Sequence, residues 1–106
     1  MIDSGKIAIF GTGDFGKKAY KYFGEEKVGI FLDNNKEKQG DVLFDVRIIS
    51  LEEFLLVKEE YTLVIAVRDN EDIIRQLIAN GVTEFYTFLG VYPYTHPKIC
   101  SYILRF

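Results

Sequence analysis

Near the start of the chain, Gly11-Thr12-Gly13-Asp14-Phe15-Gly16 forms a complete G-x-G-x-x-G. The chemistry this spacing suits is phosphate binding, and it follows from what glycine lacks. Without a side chain, Gly11 permits a tight turn, Gly13 lets a phosphate approach the backbone, and Gly16 lets a helix lie close to a sheet. The first N–H groups of a helix opening here have no intrahelical acceptor and sit at the positive end of its dipole, so they suit a pyrophosphate. Asp14 would repel an anion but stabilises a first helical turn, and is expected to point outward as a cap or first-turn residue. Further on, Asp33 stands at about the distance where an acid accepts hydrogen bonds from ribose hydroxyls. Asn34 and Asn35 follow it, with no arginine to pair with a 2′-phosphate. For a dinucleotide this favours NAD over NADP. The same residues have a plainer reading, a glycine-rich turn opening an α/β domain that binds nothing, with Asp33 as a turn residue.

Other reactive side chains give weaker patterns. Arg68 follows the apolar run 62–67, at the rim where open α/β sheets bind ligands, and could meet a phosphate or a sugar acid; it also reads as a solvated loop arginine. Tyr94 and Lys98 have the Y-x-x-x-K spacing of a dehydrogenase pair, but Pro97 between them breaks the helix that would place both on one face. His96 is the single histidine, so no histidine metal cluster or conventional triad with a histidine base can be assembled. The acidic stretch Asp69-Asn70-Glu71-Asp72 suggests a cation site and is explained more simply by a helix N-terminus. Cys100 reads as a small buried hydrophobe.

The elements that must hold these residues are legible from periodicity. Residues 6–10, 28–32, 46–49, 62–67 and 84–88 read as strands, most of them apolar on both faces as in a parallel sheet. Apolar residues at helical spacing mark helices from Asp14 to Phe23, stopped by Gly24, over 51–57, and from Asp69 or Asn70 to the Asn80-Gly81 stop. Ser50 and Glu53 have the spacing of a capping box. Between Lys36 and Asp45 the pattern is weak, and Gly40 marks a loop or a hairpin-like excursion. The expected fold is therefore α/β, a Rossmann-like three-layer arrangement of about five mostly parallel strands with helices on both faces. Residues 1–89 form that domain. Residues 90–106 are a turn-rich tail in which Pro97 opens a short helix with Ile99, Tyr102, Ile103 and Phe106 on one face. That helix either packs on the domain or serves a partner.

Composition sets the frame. The 106 residues suffice for one domain, and 48% hydrophobic with 27% charged residues is a globular balance. No run reaches the roughly 20 apolar residues of a membrane helix, and the N-terminus lacks the regions of a signal peptide. The one cysteine excludes an internal disulfide. These features point to a cytoplasmic protein away from membranes. The net charge of −3 argues against a nucleic-acid partner, which needs a basic face.

The stretches Ile7-Ala8-Ile9-Phe10-Gly11-Thr12-Gly13-Asp14-Phe15-Gly16-Lys17-Lys18-Ala19 and Gly29-Ile30-Phe31-Leu32-Asp33-Asn34-Asn35 resemble the Rossmann-like domain of bacterial sugar-modifying enzymes. PglD-type sugar acyltransferases and CapD-type dehydratases of polysaccharide biosynthesis are the nearest kinds, and the resemblance covers about residues 6–88. It implies a ligand of the NAD or UDP-linked nucleotide-sugar type, a phosphate loop at Gly11, Gly13 and Gly16, and a sugar or base contact near Asp33. Neither the hexapeptide repeats of those acyltransferases nor the catalytic domain of those dehydratases follows Phe88. The expectation is a binding module without a complete active site, working with a further catalytic domain or as a homo-oligomer. Its candidate ligand contacts are Gly11, Thr12, Gly13, Asp14, Phe15, Gly16, Asp33, Asn34, Ala66 and Arg68. The competing expectation is a non-catalytic interaction or regulatory domain that uses the fold as a scaffold and its aromatic tail as an interface.

Overall fold

Short apolar runs with no polar face can be satisfied only where both faces of a strand are covered, and that is where the structure puts them. The structure, a computed structural model, describes residues 5–88 and 99–100. In chain order its elements are β1 (Ile7–Phe10), α1 (Asp14–Phe23), β2 (Val28–Leu32), β3 (Val42–Leu43), β4 (Val46–Ile49), α2 (Leu51–Leu55), a 3₁₀ turn (Lys58–Glu60), β5 (Thr62–Ile65), α3 (Glu71–Ala79), β6 (Tyr86–Phe88) and β7 (Ile99–Cys100). The strands form one sheet in the order β3-β4-β2-β1-β5-β6-β7. From β4 to β6 the neighbours run parallel, and the two-residue strands β3 and β7 pair antiparallel at the edges. The fold is the expected α/β, Rossmann-like one.

The first crossover leaves β1 toward β2, whereas β5 returns to the other flank of β1. Crossovers of one hand that travel in opposite directions put their helices on opposite faces. Accordingly α1 covers Ile7, Ile9, Val28, Phe31, Ile48 and Val64, and α2 and α3 cover Ala8, Phe10, Ile30, Leu32, Ile49, Leu63 and Ile65. Each fully buried Leu, Ile or Phe contributes about 1.5–3 kcal/mol relative to exposure. One irregularity keeps the two faces in step. The β1–β2 register runs from Ile7 opposite Val28 to Ala8 opposite Ile30, so Gly29 bulges. A Cβ on Gly29 would lie 2.1 Å from the Gly5 carbonyl oxygen, which only glycine avoids.

Local signals account for most boundaries. Gly24 takes φ 98° and its N–H bonds to the Tyr20 carbonyl, ending α1. Ser50 caps α2 by accepting from the Glu53 N–H at 3.1 Å, while the Glu53 carboxylate pairs with Arg47 at 3.4 Å. The excursion around Gly40 is a hairpin: β3 and β4 are joined by Phe44 and Asp45 at φ 53° and 65°, a turn whose two central residues are both left-handed. Three elements are shorter than their apolar runs. β5 stops at Ile65 and not Val67, because Gly11 has turned away from its neighbour; β6 begins at Tyr86; and α2 gives way to the 3₁₀ turn.

The tail differs from expectation. A helix opened by Pro97 was to carry Ile99, but Ile99 and Cys100 are a strand opposite Phe88 and Thr87. The alternation Tyr86-Thr87-Phe88 leaves a strand edge whose N–H and C=O groups need partners, and pairing satisfies them. Tyr94, His96, Pro97, Lys98, Tyr102, Ile103 and Phe106 lie outside the described residues.

Candidate functional site

In register, Phe10 stands opposite Leu32 on one side and Ile65 on the other. The three strands therefore end level, and Gly11, Asp33 and Ala66 emerge together at one edge of the sheet. This is also where the chain reverses its direction of travel across the sheet, the place where a crevice opens in such folds. A cleft of about 610 Å³ lies there, lined by Phe10, Gly11, Thr12, Gly13, Asp14, Phe15, Lys18, Asp33, Asn34, Ala66, Val67, Arg68 and Ile73.

Each glycine of the loop has a distinct geometric reason. Gly11 takes φ 126°, and a Cβ on it would lie 2.6 Å from the Ala66 carbonyl oxygen. Its N–H bonds to the Leu32 carbonyl at 2.9 Å, tying the turn to β2. A Cβ on Gly16 would come within 2.0 Å of the Gly11 carbonyl oxygen, so α1 can start against the turn only with glycine there. Gly13 is different: a Cβ on it would meet nothing within 4 Å. It is exposed, at the N-cap of α1, and lines the cleft. The first helical bond runs from the Lys17 N–H to the Gly13 carbonyl, so the N–H groups before it have no intrahelical acceptor.

Around this loop the polar groups divide into two ends. At the β2 end, Asp33 accepts from the Thr12 hydroxyl at 2.5 Å on one oxygen and from the Asn35 N–H at 2.8 Å on the other. The Lys38 ammonium also donates to the Thr12 hydroxyl, at 3.2 Å, and the Gln39 amide to the Asp33 carbonyl, at 2.8 Å. Asn34 and Gln76 exchange amide hydrogen bonds at 2.8 and 3.2 Å, joining this end to α3. At the β5 end, the Arg68 guanidinium and the Lys18 ammonium lie 5.6 and 5.7 Å from the centre of the Phe15 ring.

The cleft thus gathers nine of the ten residues singled out in the sequence; Gly16 supports it from behind. Asp14 occupies the first turn of α1 and is exposed, as expected, yet also lines the cleft. Sequence reasoning missed Lys18, whose signal was available as the position one helical turn after Asp14, and Lys38, whose loop carries no periodicity. The acidic run resolves as a helix start: Glu71 and Asp72 pair with Arg75 at 3.6 and 3.0 Å.

A family model described as C2185-like, N-terminal matches residues 3–86. The chain belongs to this family. No curated protein matches it. Among solved structures, the C2185-like domain is similar to UDP-D-quinovosamine 4-dehydrogenase from Vibrio fischeri, at 21% identity and TM-score 0.57, over 81% of this chain and 79% of that one. It is also similar to RSP, a Rex-family repressor, at 18% identity and TM-score 0.58, over 89% of this chain and 49% of that one. RSP in complex with beta-NADH gives 19% identity and TM-score 0.54, over 86% and 48%. The C2185-like domain spans about half of the RSP chain. At these identities the likeness is one of fold, a Rossmann-type domain.

Proposed function

We propose that this chain is a nucleotide-binding module that holds NAD or a UDP-linked nucleotide sugar across the loop 11–16, Asp33 and the loop 66–70. The observation that carries the reading is Gly13, a cleft-lining glycine with room for a side chain, next to helix N–H groups that have no intrahelical acceptor. Gly11 and Gly16 are required by the fold, but Gly13 is not, so its lack of a side chain serves whatever enters the cleft. Supporting it, one fold neighbour is described with beta-NADH bound and another is named for a UDP-sugar reaction. The sugar-enzyme context follows from the sequence resemblance to PglD-type and CapD-type domains. Among the described residues, the lining side chains able to move a proton are Asp14, Lys18 and Asp33, and Asp33 is already held by Thr12 and Asn35; a complete active site would draw on another domain or subunit.

The test is titration calorimetry and thermal shift with NAD, NADP, UDP, UDP-glucose and coenzyme A, on the natural chain and on Gly13→Val. The natural chain is expected to bind one nucleotide class. Gly13→Val is expected to lose that binding with little change in Tm, because a Cβ there meets nothing within 4 Å. Gly16→Ala is the converse, a loss of several degrees in Tm from the clash with Gly11. Unchanged affinity in Gly13→Val would overturn the phosphate-loop assignment.

A further inference from the structure

We infer that the cleft selects its ligand by an anionic group carried at the end opposite Asp33, received by Lys18 and Arg68. This rests on the nucleotide-binding reading and adds which way the ligand lies and what its far end must be. The two ends of the cleft differ in what they have left to offer. At the β2 end the polar side chains are already engaged: both oxygens of Asp33 accept hydrogen bonds from the chain, and Asn34 is paired with Gln76. A neutral sugar hydroxyl can share a lone pair there, but the cation of that end among the described residues, Lys38, already donates to the Thr12 hydroxyl and does not line the cleft.

At the β5 end the situation is reversed. Of the three arginines among the described residues, Arg47 and Arg75 are paired with carboxylates and Arg68 is not. Lys18 has Asp14 one turn before it on α1 yet forms no ion pair among the described residues. Both cations lie over one ring, Phe15, which is half-buried against the α1-side core. Both also line the cleft, so an anion entering at this end meets two positive charges against the one carboxylate of Asp14. Asp14 and Phe15, whose N–H groups precede the first helical bond and have no intrahelical acceptor, line the same cleft as the two cations, and backbone donors and cations together suit an anion. The matching chemistry is a terminal phosphate of a nucleoside diphosphate or the carboxylate of a nucleotide-linked sugar acid.

The experiment compares two matched pairs by titration calorimetry at low salt. UMP against UDP tests the terminal phosphate, and UDP-glucose against UDP-glucuronate tests the sugar carboxylate. The natural chain is expected to favour the more anionic member of one pair by about tenfold, the size of one charge-assisted contact. Which pair shows the preference identifies the source of the anion. In Lys18→Gln/Arg68→Gln, a change of two exposed side chains, that ratio is expected to fall close to one. Binding without any preference for the anionic member overturns the inference and leaves the nucleotide reading standing. So does a preference that survives the double substitution. If none of the four ligands binds the natural chain, the inference falls; the nucleotide-binding reading falls with it only if NAD and NADP fail to bind as well.

Discussion

At the level of single residues, the site depends on which atoms are committed and which are free. Thr12 shows this most clearly. It is 6% exposed, and its hydroxyl donates to Asp33 while accepting from Lys38, so one oxygen links the glycine-rich turn, the end of β2 and the loop after it. Thr12→Val keeps the shape and removes the link. With a charged group on each side of the lost hydroxyl, the expected cost is about 1–2 kcal/mol in a denaturant melt. Thr12→Ser, which keeps the hydroxyl, should restore most of it. Equal stability of both variants would show that the bond contributes nothing net. The sequence made Asp33 legible because an acid at the end of the second strand has a known use. It did not show that Thr12 already occupies one oxygen of the carboxylate, because that depends on a register between residues far apart in the chain. Lys18 had a local signal, one helical turn after Asp14, but that spacing does not show Arg68 at the same ring.

At the level of elements, local chemistry predicted the boundaries well wherever a cap or a glycine stop was involved. Ser50 before α2 is the clearest case. Its side chain satisfies one of the unpaired N–H groups of a helix only five residues long, too short to be stable by its own propensity. Ser50→Ala is expected to cost about 1 kcal/mol, read as a lower Tm with an unchanged denaturant m-value. A fall in m as well would mean that α2 unravels rather than weakens. The elements that escaped sequence reading are the ones made by tertiary pairing. β3 has Val42 60% exposed and exists because its turn, Phe44-Asp45, adopts a left-handed pair of conformations that no glycine advertises. Stacking of Phe44 on Tyr20, with ring centres 4.5 Å apart, offsets part of that cost. Likewise, β7 reads as the start of an amphipathic helix from spacing alone, and becomes a strand because β6 presents an edge to pair with.

At the level of the whole molecule, the site lies at the end of the central strands of the sheet. β1 is the middle strand of the sheet, flanked by β2 and β5, and the cleft is built from the loops that leave these three strands. The loops that line the cleft continue directly from these strands, so a ligand that needs them in place should act on global stability and not only on local motion. Hydrogen exchange separates the two. Backbone amides of β1 should exchange only through global unfolding, whereas those of the two-residue strands β3 and β7 should exchange through fraying at the sheet edges. A nucleotide at about a hundred times its Kd adds about 2.7 kcal/mol to the unfolding free energy, provided it does not bind the unfolded chain. With opening in rapid equilibrium, β1, β2 and β5 amides should then exchange about a hundredfold more slowly, since each 1.4 kcal/mol is a factor of ten. Those of β3 and β7 should stay unchanged, because fraying there leaves the cleft intact. Protection confined to the loop 11–16 would mean that the ligand orders the turn without drawing on the sheet. No protection with any nucleotide would move the reading to the alternative that the sequence also allows, a Rossmann-like scaffold whose function lies in an interaction surface.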